Sequence, residues 1–592
     1  MKRIIFFILS VMILSSCKLS NENQHQEPNK ELAALFARYY DERMSLFPLE
    51  ATANGDNRFN DQLYPDFTHT YRIKLRSFYS SYFTYLTRFE RDKLNDNDKV
   101  SYDVFKKEME MNLEGLSFHN NEIPTNQFEG LTLTMGQMGS GEGIAPFNTV
   151  KDYENWLARM KAFSVWTDSA ILYFRKGIFE NYVLPKTLVI KMIPQMNAMV
   201  TADVKSNLFY GPVNKFPADF SDTTKKRLTA EYAEAIQQYI IPSYRKMGDF
   251  LKNEYFYKSR NSSGINELPG GEEYYNYLIR YWTTTGKPAD EIYKTGLDEV
   301  KRIRSEMERI RTEVKFPGDL KQFFNYMKTD KRFMPYKTPE EVLNAFHTIQ
   351  KTMEPNLKTM FGKVPKTRFE IRQTEAFRAA SASAEYNPGS PDGSRPGIFY
   401  VPILDATRFN TTSGMESLFL HEAIPGHHYQ ASLQMENEQL PQFRRFLWYG
   451  AYGEGWALYC ESLGKELGLY TDPFQYMGAL GDEMHRAVRL VVDVALHTKN
   501  MTREEAISYM MDNEAISEEG ATAEIERYMA IPGQALGYKI GALKIKELRE
   551  KYREQLGTHF KLSDFHDEFL KDGCLPLDVA EQKMDAWAFR QK

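Results

Sequence analysis

Three histidines and a glutamate fall within eight positions of one stretch, His421-Glu422-Ala423-Ile424-Pro425-Gly426-His427-His428, in a chain with 11 histidines among 592 residues. Neutral imidazole and carboxylate suit zinc, which in catalytic sites takes three protein ligands and keeps a place for water. A His-Glu pair followed closely by another His presents two ligands and a general base from one helix. The ordinary spacing is H-E-x-x-H, because residues four apart share a helix face. Here the fifth position is Pro425, which lacks an N–H and would clash with the carbonyl of His421. The simple form is therefore excluded. In a straight helix His428 would share the face of His421 but lie about 10 Å further along the axis. If Pro425-Gly426 bulge out of the helix instead, His427 drops into the missing slot. Helical bulges are frequent at functional sites, and glycine tolerates unusual dihedrals. The reading favours His421 and His427 as ligands and keeps His428 in reserve beside them.

A third ligand should come from a following helix. Glu454 in Gly453-Glu454-Gly455-Trp456-Ala457-Leu458-Tyr459-Cys460-Glu461 is the best candidate, since flanking glycines permit close backbone approach. Glu461 lies two turns on, shares the face, and could orient a ligand from behind. Glu422 has the position of the general base. Further on, Arg486, Arg489, Asp493 and His497 form a polar stripe at spacings of three, four and four. It is read either as a structural bridge or as a cleft wall. On the second reading an arginine meets a substrate carboxylate and His497 supports the oxyanion. Tyr538, or Tyr528, could donate to the same oxyanion.

The elements that must position these groups are mostly helical. Leu32, Leu35, Phe36 and Tyr39 recur at helical spacing, and Thr149 is placed to cap a helix that follows. The polar run at residues 258–271 marks the boundary between an N-terminal helical lobe, 31–262, and a zinc-binding lobe, 263–592. The texture changes once. A loop dense in Pro and Gly is followed by Gly397-Ile398-Phe399-Tyr400-Val401-Pro402-Ile403, short, β-branched and aromatic, which reads as a strand. Pro402 suits an edge. An edge strand beside the zinc helix would let an extended peptide add itself there, with Tyr400 among the substrate contacts; an ordinary buried strand fits the sequence equally. Ser413 and Glu416 have capping-box spacing at the start of that helix.

Composition bounds the setting. A net charge of −5 gives no basic excess for nucleic acid. Lys2 and Arg3 precede an apolar run, Ile4–Leu14, too short for an ordinary membrane span, and then Leu14-Ser15-Ser16-Cys17. Residues 1–16 read as a signal peptide ending in a lipobox-like motif, Cys17 as the lipidated first mature residue, and 17–30 as a polar tether. That implies export to the bacterial envelope and a membrane partner through the acyl anchor. Cys460 and Cys574 then remain, so no disulfide framework is needed.

Several motifs together resemble the bacterial family called "domain of unknown function 885". They include Asp392-Gly393-Ser394-Arg395-Pro396-Gly397, the His421-Glu422-Ala423…Pro425-Gly426-His427 stretch, Glu454-Gly455-Trp456-Ala457-Leu458-Tyr459, and Pro532-Gly533-Gln534-Ala535. One departure is Ala495, where the family has glycine before Leu-His. The resemblance implies a mainly helical, zincin-like metallopeptidase body. The sequence-level expectation is thus a large two-lobed helical protein with a small sheet beside the zinc helix. Its function would be zinc-dependent peptide hydrolysis at the envelope. The rival from another class is a non-catalytic, substrate-binding lipoprotein, which would need no His-Glu-His-Glu set.

Overall fold

The computed structural model describes residues 27–592 except 376–378, 380–381, 391–392 and 394. The leader, Cys17 and most of the tether lie outside the described residues. From Lys30–Leu46 to Leu577–Arg590 the chain is dominated by helices, with one three-stranded sheet. The first helix buries Leu32, Leu35, Phe36 and Tyr39 along one side, and the Asn29 side chain accepts the N–H of Leu32 at its start. Thr149 and Asp152 form a reciprocal capping box at the head of Val150–Glu180. Both ends follow from local sequence. Among the described residues, no helix is long and apolar enough to cross a membrane.

Packing does not divide at residue 262. One large core joins Leu32–Met109 to residues between 342 and 588, with the ring of Phe36 lying 4.9 Å from that of Phe443. A second core joins residues between 135 and 255 to others between 300 and 535. Each crosses the expected lobe boundary, because the N-terminal helices find their apolar partners late in the chain. The polar run at 258–271 is instead a surface turn tied inward, where the Ile265 N–H donates to His497 Nδ1 at 3.1 Å.

The sheet has the order β1-β3-β2, with β1 Phe369–Gln373, β2 Glu385–Asn387 and β3 Gly397–Val401. β1 runs parallel to β3 and β2 runs antiparallel to it, and Phe399 is paired with Ile371 on one side and Tyr386 on the other. β3 is therefore central, not an edge. Burial on both faces explains its unbroken apolar run. Pro402 falls just past its end, where a missing N–H costs no ladder bond. The expected capping box also fails. Gly414, at φ +77°, holds the cap of the helix from Met415, while Ser413 donates to the Asn410 carbonyl and Glu416 accepts the N–H of Tyr470.

Three long helices form the wall behind the site: Ala289–Glu313, Pro473–Thr498 and Leu536–Leu556. They are joined by an ionic knot around the buried Lys539. Lys539 Nζ lies 2.8 Å from both Glu299 and Glu483, and Arg302 reaches the same two carboxylates.

Candidate metal centre and cleft

The helix that begins at Met415 widens into a π-turn over Phe419–Ala423 and stops. Ile424–Pro425 is a cis peptide, and a new helix, His427–Glu436, starts two residues later. Neither a straight helix nor a bulge within one helix is present; the chain breaks. Glycine is required at the break. A Cβ on Gly426 would lie 1.9 Å from the His421 carbonyl oxygen and 2.4 Å from that of Leu420. The indole N–H of Trp456 donates to the Pro425 carbonyl at 2.9 Å, which ties the turn to the helix Gly450–Glu461 that bears Glu454.

This break brings His427, not His428, to His421. The rings of His421 and His427 meet edge to face at 4.9 Å. Ligand atoms of His421, His427 and Glu454 all lie within 4.8 Å of one another. Glu454 Oε2 stands 3.4 Å from His421 Nε2 and 3.7 Å from His427 Nε2. Ligands about 2.0–2.2 Å from a tetrahedral zinc ion stand about 3.3–3.6 Å apart, so the spacing and the donor set suit that ion. Glu461 accepts from His421 Nδ1 at 2.7 Å, which leaves Nε2 facing Glu454. His428 faces elsewhere, its Nδ1 2.9 Å from the Tyr386 hydroxyl. The glycines beside Glu454 do not admit the histidine helix as expected. The space over Gly453 is filled by the Trp448 ring, and Gly455 packs on Gly541 of the helix behind.

Electrostatics follow from burial and from this grouping. Burial disfavours charge on His421, but hydrogen bonds to Glu454 and Glu461 outweigh it and raise its pKa well above the usual value. Burial lowers His427 to about 4. Glu454 drops to about 2, because the two imidazoles and Arg486 overcome its desolvation. Glu422 goes the other way. Burial lifts it to about 7, with Glu454 adding to the rise and His421 opposing it. Its Oε2 accepts the Tyr386 backbone N–H of β2 at 3.0 Å.

These groups open into a cavity of about 560 Å³. His421, Glu422, His427 and Glu454 form one side, with Trp448 beside His427. Arg486, Arg489, Arg527 and Tyr538 form another. Arg489 and Arg486 stack over the Tyr538 ring at 4.9 and 5.7 Å. Glu385 and Tyr386 of β2 lie at its rim, so the sheet edge that borders the cleft is β2.

Three expected contacts are not brought to the cavity. Asp493 is wholly buried, accepting from the Tyr275 hydroxyl and the Gly533 N–H, and burial lifts its pKa to about 7. His497 is buried as well, with Nδ1 held by Ile265 and Nε2 donating to the Tyr528 carbonyl, so it has no free nitrogen for an oxyanion. The stripe does share one helix side, but 11 residues run about 16 Å along the axis, and its far half passes beyond the cavity. Tyr400, in the central strand, pairs with Arg372 and Glu385 in register and is absent from the lining. Tyr386, Trp448 and Arg527 were missed. Only Arg527 carried a hint, as the neighbour of Tyr528.

The profile of a family described as "Bacterial protein of unknown function (DUF885)" matches residues 48–584. Among solved structures, the chain is similar to a protein of Colwellia psychrerythraea, at 27% identity and a TM-score of 0.85 over 95% of this chain and 99% of that one. It is also similar to a protein of Shewanella oneidensis, at 21% identity and a TM-score of 0.73 over 93% of this chain and 99% of that one, a likeness of fold alone. Both are described as putative lipoproteins, the second of unknown function. No curated protein matches the chain.

Proposed function

The chain belongs to the bacterial DUF885 family, and from the geometry of its histidine–glutamate cluster we propose that it is a zinc-dependent metallopeptidase. The observation that carries this reading is the convergence of His421, His427 and Glu454 within 4.8 Å, with Glu422 on the same cavity wall. His421, His427 and Glu454 would hold the ion. Zinc there supplies a Lewis acid that polarises the substrate carbonyl and makes water acidic enough to ionise near neutral pH. Glu422 takes the proton of the attacking water and returns it to the departing amine. Fixed by the Tyr386 N–H, it needs little reorganisation to do so. Tyr538, across the cavity, offers an O–H to the carbonyl oxygen as it gains charge. Glu461 keeps His421 in the tautomer that ligates through Nε2.

The short leader ending at Cys17, together with the lipoprotein description of similar structures, supports a lipid-anchored place in the cell envelope. The test is metal analysis of the purified protein combined with a mixed peptide library. One zinc per chain is expected, with cleavage lost on chelation and restored by zinc. A protein that takes up no zinc, or that cleaves no peptide when loaded, would overturn the reading.

A further inference from the structure

We propose that Arg486 binds the C-terminal carboxylate of the peptide substrate, so that the enzyme removes residues from the C-terminal end. This rests on the metallopeptidase reading and adds the class of peptide it accepts. Three guanidinium groups line the cavity, and two are already engaged. Arg489 donates to Glu524 at 2.9 Å and to the Tyr528 hydroxyl at 3.0 Å. Arg527 donates to the Gln534 amide oxygen at 2.8 Å and lies 3.6 Å from Glu524. One carboxylate, Glu524, thus serves both.

Arg486 differs. Among the described residues no carboxylate lies within 4.0 Å of it; its Nε is buried without a hydrogen-bond partner, as are Arg489 Nη1 and Arg527 Nε, which belong to guanidiniums that are otherwise paired. Asp482, one turn earlier, is turned to the Ser417 hydroxyl at 2.6 Å. A guanidinium does not lose its proton in a protein, and half-buried Arg486, whose charge reaches Glu422 and Glu454 only through space, has N–H groups in need of a partner. An incoming carboxylate meets that need with two parallel N–H···O bonds. Its guanidinium lies 5.7 Å from the centre of the Tyr538 ring, on the same cavity wall.

The dimensions select which carboxylate. Arg486 and the general base Glu422 share one open cavity of about 560 Å³, close enough for the guanidinium charge to act on the Glu422 carboxylate. A chain whose scissile bond sits at Glu422 has room for few residues before it reaches Arg486. The group that arrives there is the end of the chain.

The test uses one peptide without acidic side chains, prepared as free acid, as C-terminal amide and as N-acetylated acid. Cleavage is followed with the zinc-loaded native protein, and binding with the Glu422→Gln variant. The free acid should bind and be cleaved at least about 100-fold better than the amide. N-acetylation should change little. Adding Arg486→Gln should shrink the acid–amide gap to within a few-fold while zinc content stays at one per chain. Arg486→Lys, which keeps the charge without the fork, should leave a partial gap. Acid and amide handled alike, a loss caused by N-acetylation, or no binding of any form would overturn the proposal. Selective binding of the acid without any cleavage would uphold the carboxylate site and remove the peptidase reading instead.

Discussion

Replacing Glu422 by Gln removes a proton acceptor and almost nothing else, since an amide oxygen can still accept the Tyr386 N–H. The variant should keep its zinc and fold and lose about 10²–10⁴-fold in turnover. Steady-state kinetics beside metal analysis would check this, and near-normal hydrolysis would contradict the assigned base. The two adjacent histidines should separate cleanly. His427→Ala should abolish stoichiometric zinc, whereas His428→Ala should keep it and cost about 0.5–1.5 kcal/mol of stability through the lost hydrogen bond to the Tyr386 hydroxyl, which retains Ser432. Zinc lost only from the His428 variant would reverse the ligand assignment. At this scale the sequence was legible in the grouping of the candidate ligands, which lie close in the chain or on the next helix. His421, His427 and Glu454 could be named because residue type and local spacing restrict them. Tyr386, Trp448 and Arg527 could not, because they reach the cleft from separate segments with no spacing relation to the motif.

Helices and strands show a second kind of limit. Periodicity tells which way round a helix a residue points, and so groups Arg486, Arg489, Asp493 and His497 correctly on one side. It does not tell where along that helix the cavity ends, and Asp493 and His497 fell on the wrong side of that end. The strand Gly397–Val401 was legible as a strand, but its central place was not. Its partners β1 and β2 are five and three residues long and leave little pattern. The break after His421 was foreseen in its cause, Pro425, but not in its form. Gly426→Ala tests that form. Its methyl must displace the His421 carbonyl, so the variant should lose about 1–3 kcal/mol and bind zinc poorly, even though no ligand has changed. Thermal unfolding with metal titration would measure both. A variant with native stability and zinc affinity would mean the turn is not held as described.

For the molecule as a whole, the ionic knot of Lys539, Glu299, Glu483 and Arg302 sets how acid loosens it. Burial favours the neutral acids, but Lys539 and Arg302 outweigh it, and both glutamates titrate at about 2 against an ordinary 4.5. The unfolded chain therefore binds more protons between these values. The contribution is complete above about pH 4.5 and is lost as pH falls through about 2. Lys539→Met should cost about 3–5 kcal/mol at neutral pH and flatten that acid limb, because the carboxylates lose the partner that holds them ionised. Denaturant titrations across pH 2–7 would show it; an unchanged pH profile would remove the knot from the account.

The shared core of Leu32–Met109 with residues up to 588 has a consequence for how the protein comes into being. The ribosome makes the first helices long before the surfaces that cover them. Phe36 and Tyr39 meet Phe105 early, but the Phe443 face of their packing is made some four hundred residues later. The first helices therefore stay incompletely covered until the late helices are made.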